Sequence, residues 1–500
     1  MNVENIINNN KIFVTKINQL FHNKGIEFNN RLGIIIEYIN FCLYNSKITN
    51  KLDINFEKEI ISLINSISID PNELYQILFM FYGNKKTKLN LDQYYTPFTI
   101  GSFMCNLMQE NKKVIDPACG TGDLVKCYNG NISLWDISPE VLDVCKQNYL
   151  MNKRDFELKC LNSIEDYTRD NNTYDYCCLN PPFGSSTVIS DEKILNKYIL
   201  GENKKKEEIG IIFIERAINL VKENGIVFII LPNGYLGNSS KNIKRLIEYL
   251  LSFRIVAILE LPNNTFSRSG TGVSTSLLIL QKIKTNSNYN IFIKKINNIG
   301  YVLNKKNTPY KYKTVDGNYL IKNEQPVLDN NFVDCYDELS FFLKNEQVSN
   351  FKLREIIGIK YEMVNTKDLE NNILDINRYL NNYKSIISNS KLKKLKTIKN
   401  YCKNESIEKF VKENDKEYIY LDIKQITTPM YKKDKVMYGY DLPSRAKIKL
   451  NKYDIIVSKL KGKISFTIIL DDAENIVCSN GFSLIRPKNY DNAIIIFSNL

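Results

Sequence analysis

The sequence predicts an α/β fold, a doubly wound sheet in the middle of the chain, preceded by a helical domain and followed by an α+β domain. Three observations carry this. Five hundred residues are too many for one core, since domains typically hold about 100–200 residues each. Between about residues 90 and 300, short apolar runs alternate with longer amphipathic stretches, the pattern of strands and crossover helices. On either side the pattern changes, to helical spacing before and to short β-like runs after.

Residues 1–88 carry apolar side chains at three- and four-residue spacing: Phe13, Ile17, Leu20 and Phe21, then Leu32, Ile35, Ile36, Ile39 and Leu43. Ile69-Asp70-Pro71-Asn72-Glu73 signals one more helix through Phe81. No catalytic constellation stands here, and an interaction or DNA-facing subdomain is expected. In residues 89–300 the expected strands are Val114–Ile115, Ser133–Trp135, Tyr176–Leu179, Ile226–Leu231, Val256–Leu261 and Ser276–Leu280. The expected helices cover residues 102–111, 138–151, 208–224 and 241–252. Residues 301–390 read as a connecting region. Lys384, Lys391, Lys393, Lys394, Lys396, Lys399 and Lys403 then crowd one segment at the start of the last domain, residues 391–500. Its expected strands are Tyr418–Ile423, Asp454–Ser458, Phe466–Leu470 and Gly481–Ile485. The chain stops in an apolar stretch, Ala493–Leu500, so a continuation or a partner is expected to complete it.

Composition excludes several function classes. No apolar run approaches the ~18 residues of a membrane span, and the start MNVENIINNNK lacks a basic segment followed by an apolar one, so neither a span nor a signal peptide is expected. An intracellular, cytoplasmic location follows, in a bacterial, phage or viral setting. Eleven cysteines without CxxC spacing read as reduced core thiols. A single histidine, His22, argues against a His-rich zinc site and a Ser-His-Asp or Cys-His enzyme, so no metal is expected and His22 reads as an ordinary surface or packing residue. A net charge of +13 suits a polyanionic partner.

Three motifs carry chemistry. In Val114-Ile115-Asp116-Pro117-Ala118-Cys119-Gly120-Thr121-Gly122-Asp123 an apolar strand delivers a carboxylate into a glycine-rich turn. The next strand ends in Trp135-Asp136, twenty residues on, where a carboxylate can accept from ribose hydroxyls. A dinucleotide fingerprint would need a third glycine where Val125 stands, so a nucleoside ligand without a diphosphate, such as S-adenosylmethionine, fits better. About 60 residues after the turn, Asn180-Pro181-Pro182-Phe183 follows an apolar strand. Two prolines fix the backbone, so the Asn180 side-chain oxygen and the Pro181 carbonyl can accept both hydrogens of an exocyclic amine. Phe183 offers a face for a flipped base. Upstream, Tyr95-Thr96-Pro97 opens a helix.

In this order, Tyr-Thr-Pro, then the glycine turn, then the acidic strand end, then Asn-Pro-Pro-Phe, residues 90–300 resemble the DNA amino-methyltransferases that make N6-methyladenine, in their gamma arrangement. That arrangement occurs in type I restriction-modification methylase subunits and in type II enzymes with fused recognition domains. The resemblance implies a Rossmann-like S-adenosylmethionine-dependent methyltransferase domain and site-specific adenine methylation. It implies that Tyr95, Thr96 and Pro97 line the cofactor's methionine end, that Asp116, Pro117, Gly120 and Gly122 cradle it, and that Asp136 holds its ribose. Asn162 stands where the family often has an aspartate contacting the cofactor's adenine. Asn180, Pro181, Pro182 and Phe183 would hold the target base, flipped out of the duplex. Leu231-Pro232-Asn233-Gly234 and the Phe266–Thr275 stretch also fit the family.

The last third resembles one target-recognition domain of a type I specificity subunit, through Tyr420-Leu421-Asp422-Ile423, Leu442-Pro443-Ser444-Arg445-Ala446 and the stretch from Tyr453 to Gly462. Lys459, Lys461 and Lys463 on the loop after a strand would meet phosphates. Implied partners are double-stranded DNA and a specificity subunit, a separate nuclease subunit or a second copy of the chain. No PD followed at a fitting distance by ExK stands in the first 90 residues, so nuclease activity is expected elsewhere. Alternatives are N4-cytosine methylation, which typically places Ser at position 180, and protein glutamine or RNA methylation, which uses a similar turn.

Overall fold

A computed structural model describes residues 3–45, 47–66, 78, 96–151, 155–182, 187–237, 240–266, 273–285, 287–303, 310–322, 325–380, 401–403, 410–459, 465–472 and 474–498. The chain forms two compact units, Met1–Ile386 and Ile387–Leu500.

The first unit begins with three helices, α1 (Val3–Asn23), α2 (Phe28–Tyr44) and α3 (Ile54–Asn65). Their apolar stripes close on one another through Phe13, Ile17, Phe21, Ile35, Ile39, Phe56 and Ile60, with Phe21 and Phe56 edge to face at 5.1 Å. Asp53 caps α3 by accepting from Asn55 and Phe56 N–H. His22 lies exposed in the last turn of α1. The helix expected from Ile69 to Phe81 lies outside the described residues, apart from the helical Leu78.

A nine-stranded sheet follows. Its strands are β1 (Lys113–Asp116), β2 (Asn131–Asp136), β3 (Phe156–Cys160), β4 (Tyr174–Leu179), β5 (Val221–Pro232), β6 (Phe253–Glu260), β7 (Thr275–Lys284), β8 (Asn290–Lys295) and β9 (Met363–Asn365). The order is β9-β8-β6-β7-β5-β4-β1-β2-β3. Strands β1 to β5 are mutually parallel, β7 inserts antiparallel between β5 and β6, and β9 closes the edge antiparallel to β8. Helices α4 (Phe98–Leu107), α5 (Pro139–Met151) and α8 (Phe332–Asn345) cover one face, and α6 (Ile209–Leu220) and α7 (Lys241–Leu251) the other. The pleat explains the unbroken apolar runs. Val114, Tyr176, Cys178, Ile226, Phe228 and Ile230 point into one core, and Ile115, Cys177, Leu179, Val227, Ile229 and Leu231 into the other. All six expected strands of this region exist.

Four details differ from the expectation. Helix α4 starts at Phe98, where Thr96-Pro97 signalled an opening, and ends at Leu107 instead of covering residues 102–111. Helix α6 stops at Leu220, because Val221 already pairs with Tyr174, and four residues then bulge out before Ile226 pairs with Tyr176. Asn224 at φ 64° turns that bulge, so Lys222 to Gly225 form a strand irregularity instead of a helix tail. Strands β3 and β8 were not foreseen: β3 is a half-exposed edge, and Asn290–Lys295 mixes apolar and basic residues. The stretch after residue 300, read as connecting, carries α8 and β9 of the first unit. No described helix is long and apolar enough to cross a membrane, and all eleven cysteines are free thiols.

The second unit contains a four-stranded sheet ordered Val436–Tyr438, Glu417–Leu421, Ile476–Ser479, Ala446–Lys449, and a three-stranded sheet ordered Phe466–Ile468, Ile455–Ser458, Phe482–Ile485. The sequence reading missed Ile476–Ser479, which sits inside its sheet although only four residues long. Arg486 grips the buried Asp454 through two hydrogen bonds of 3.0 and 2.9 Å. Part of the apolar chain end forms helix α9 (Tyr490–Phe497), with Ala493 and Ile496 buried against Ile455 and Ile468. Of the crowded lysines only Lys403 lies among the described residues.

Candidate active site

Strand β1 has β2 on one side and β4 on the other, so the connections leaving β1 and β4 diverge at the carboxyl edge of the sheet and open a crevice. A cavity of about 230 Å³ lies there. Each strand that borders it contributes the residue at or just past its end: Asp116 from β1, Asp136 from β2, Asn162 beyond β3 and Asn180 beyond β4. Thr96, just before α4, closes one side.

The glycine turn is built by hydrogen bonds from its own neighbours. Cys119 N–H donates to the Trp135 carbonyl at 2.9 Å, and Gly120 N–H to Asp136 Oδ2 at 2.9 Å. Asp136 Oδ1 accepts from Ser138 N–H at 3.0 Å, so this carboxylate ties the turn to the start of α5. Gly120 and Gly122 have φ of 51° and 81°, which favours glycine. At Gly122 space is the second reason: a Cβ would lie 2.4 Å from Tyr149 Cε2 and 2.7 Å from Cys145 Sγ. Gly122 therefore lets α5 approach the turn and does not line the cavity.

Burial pushes both carboxylates up. Asp116 is 1% exposed, and burial raises its carboxyl well above the usual range, with Asp136 and Asp123 adding to the shift and the Ala118 N–H opposing it. Asp116 Oδ1 accepts that N–H at 3.2 Å, while Oδ2 has no partner. Asp136 is raised by burial too, against the N–H groups that favour its charge. Nearby, Asp123 pairs with the buried Lys126 at 3.3 Å and accepts from Thr121 Oγ1 at 2.8 Å.

On the far side, Asn180 Nδ2 donates to Thr96 Oγ1 at 3.1 Å, and Asn180 Oδ1 is buried without a partner. Pro181 is buried and Pro182 borders the cavity. The loop carrying Asn162 is held from below. Arg216 of α6, fully buried, donates to the carbonyls of Ser163 (2.8 Å), Tyr167 (3.1 Å) and Arg169 (2.6 Å) and to Asn171 Oδ1 (2.6 Å). Its guanidinium lies 5.8 Å from the Trp135 ring centroid. Asn162 Nδ2 is bonded to Glu165 at 2.9 Å, and Ser163 Oγ donates to the Pro117 carbonyl.

Of the residues singled out from sequence, the structure gathers Thr96, Asp116, Pro117, Gly120, Asp136, Asn162, Asn180 and Pro182 on one cavity. Pro97, Gly122 and Pro181 support it from behind. Tyr95 and Phe183 lie outside the described residues, as do Lys461 and Lys463. Lys459, in the second unit, is exposed and donates to the Asn480 carbonyl at 3.1 Å. The sequence reading missed Thr121, Asp123, Ile137, Leu161, Thr187, Ile209 and Phe213 on the wall. Thr121 and Asp123 lie within the glycine-turn motif and Ile137 and Leu161 beside motif residues, so all four were within reach; Thr187, Ile209 and Phe213 come from a segment without a motif.

An acidic, glycine-lined crevice at the carboxyl edge places the first unit among doubly wound α/β proteins. Residues 72–318 narrow the class: they match the family model for N-6 DNA Methylase. The chain is 24% identical over 254 residues to the methylase subunit of the type I restriction enzyme EcoEI of Escherichia coli, covering 45% of this chain and 50% of that one. It thus spans about half the length of that relative. Among solved structures it is similar to a type I restriction-modification methyltransferase subunit from Streptococcus thermophilus (15% identity, 65% and 68% of the two chains, TM-score 0.45). It is also similar to the type IIG restriction endonuclease BpuSI (14% identity, 99% and 66%, TM-score 0.47).

Proposed function

We propose that the protein transfers a methyl group from S-adenosylmethionine to N6 of adenine within a short DNA sequence, as part of a restriction-modification system. The observation that carries this is Asn180 Oδ1, a buried acceptor without a partner, on the same cavity as the unpartnered Asp116 Oδ2. A buried polar atom left unbonded costs about 1–3 kcal/mol, which a ligand hydrogen bond would recover.

The residues present fit the cofactor. Asp116 Oδ2 suits a cationic amino group, Asp136 a ribose diol, and Asn162 the edge of a purine. When bound, S-adenosylmethionine supplies an electrophilic methyl group on a sulfonium. Everything else falls to the chain. Asn180 Oδ1 and the Pro181 carbonyl accept the two hydrogens of the target amine, aim its lone pair and take up positive charge as it develops. An amine inside a stacked duplex cannot reach Asn180, so the base is turned out of the helix. In this reading the second unit contacts duplex DNA, with Lys459 among the groups near phosphate, and binding weakens steeply with salt. A specificity subunit, a nuclease subunit or a second copy would complete the system.

The test is single-molecule sequencing of DNA from cells expressing this chain, beside an Asn180→Ala control. N6-methyladenine at one short motif, absent from the control, is the expected result. N4-methylcytosine at a motif would reassign the base. Unmethylated DNA together with a purified chain that does not bind S-adenosylmethionine would overturn the reading.

A further inference from the structure

Asparagine's two amide ends are nearly the same size but opposite in function. Only with Oδ1 toward the cavity can Asn180 accept from an amine; turned by 180°, it would set N–H against N–H. The bond from Nδ2 to Thr96 Oγ1 holds the productive orientation, and among the described residues it is the bond on the nitrogen side once Oδ1 faces the cavity. Thr96 is itself held. It is 3% exposed, and it stands just ahead of α4, whose first turn is pinned where Thr99 Oγ1 donates to the Ile299 carbonyl at 2.7 Å. A Cβ at Gly300 would meet Thr99 Cγ2 at 3.3 Å, so the backbone at Ile299 and Gly300 packs closely on the helix start.

We infer that Thr96 is a positioning residue for the methyl-transfer step: its side-chain oxygen fixes the Asn180 amide so that Oδ1 is presented to the target amine. This rests on the methyltransferase reading above and adds to it. The resemblance placed Thr96 only at the cofactor's methionine end. Acting through Asn180, Thr96 governs the rate of transfer at saturating cofactor. A cofactor contact alone would govern cofactor affinity.

The two roles separate experimentally. Isothermal titration calorimetry with S-adenosylmethionine reads cofactor Kd independently of turnover. The full chain is compared as wild type, Thr96→Val, Thr96→Ser and Thr96→Ala, each alone and with Asn180→Ser, whose shorter side chain cannot reach Thr96. Single-turnover methyl transfer is measured on a duplex carrying the methylated motif. Thr96→Val is expected to slow transfer at saturating cofactor on the order of 10- to 100-fold, the range for losing one oriented polar group at a reacting centre. Cofactor Kd should stay within about threefold, the Ser variant should recover most of the rate, and the loss should vanish in the Asn180→Ser background. Thr96→Ala repeats the test if the Val variant is unstable. Equal losses in both backgrounds, or a loss that excess cofactor reverses, would overturn the inference. A wild-type chain that neither methylates DNA nor binds the cofactor overturns the underlying reading first and this inference with it.

Discussion

The Gly120 N–H donates to Asp136 Oδ2 at 2.9 Å, binding the turn after β1 to the end of β2. With the Ser138 N–H on its other oxygen, Asp136 organises the cavity floor before any ligand arrives. Asp136→Ala leaves both N–H groups without their acceptor, and Asp136→Asn keeps one acceptor but sets an amide N–H toward the other donor. S-Adenosylmethionine affinity is expected to fall about tenfold or more in the Ala variant and less in the Asn variant. Isothermal titration calorimetry measures both.

Gly122→Ala should destabilise the first unit without touching the cavity. The added methyl meets Tyr149 and Cys145, and φ of 81° strains any side chain. The expected cost is about 2–4 kcal/mol, read as a lower denaturation midpoint. An unchanged midpoint would mean that α5 moves away at no cost.

Asp116 makes the unliganded protein's stability depend on pH. Its folded-state pKa is raised by burial, so its contribution is fully present below the unfolded value of about 4 and is lost as pH rises through the raised value. Asp136 is shifted in the same direction. Asp116→Asn removes the titration, and the variant should match or exceed wild-type thermal stability toward neutral pH while losing cofactor binding. A pH series of melting curves from about 4 to 8 tests the sign; a wild type that gains on the variant with rising pH would contradict it.

Arg216→Met should loosen the loop that carries Asn162. Three carbonyls and the Asn171 oxygen lose their donor at once, at a cost of about 3 kcal/mol. Lysine keeps the charge but not the planar fork that spans four diverging acceptors, so Arg216→Lys should rescue little. Amide hydrogen exchange of residues 161–171 should rise in both variants. Protection equal to wild type would show that the loop holds itself.

Much of the site was legible in the sequence because it is local. A carboxylate, then glycines at positive φ, then an asparagine ahead of two prolines are conformational instructions written in consecutive residues, and Asp116, Asp136 and Asn180 stand where those instructions placed them. The six expected central strands were equally readable, since a strand buried on both faces must be continuously apolar. Short and edge elements carried no such mark. Strand β3 is half exposed, β9 has three residues, and Ile476–Ser479 looks like any brief apolar run until two neighbours pair with it.

The sequence alone therefore determined the fold class, the order of the central strands along the chain and the chemical character of the crevice. Tertiary structure decided what depends on residues far apart in the chain. It placed β7 antiparallel between β5 and β6, cut α6 short where Val221 finds Tyr174, and turned Arg216 under a loop some 50 residues earlier. It also brought Thr96 to Asn180, 84 residues on. The physical reason is the same in each case: propensity and periodicity act over a turn or a pleat, whereas a hydrogen bond between distant segments exists only after the sheet has set their separation.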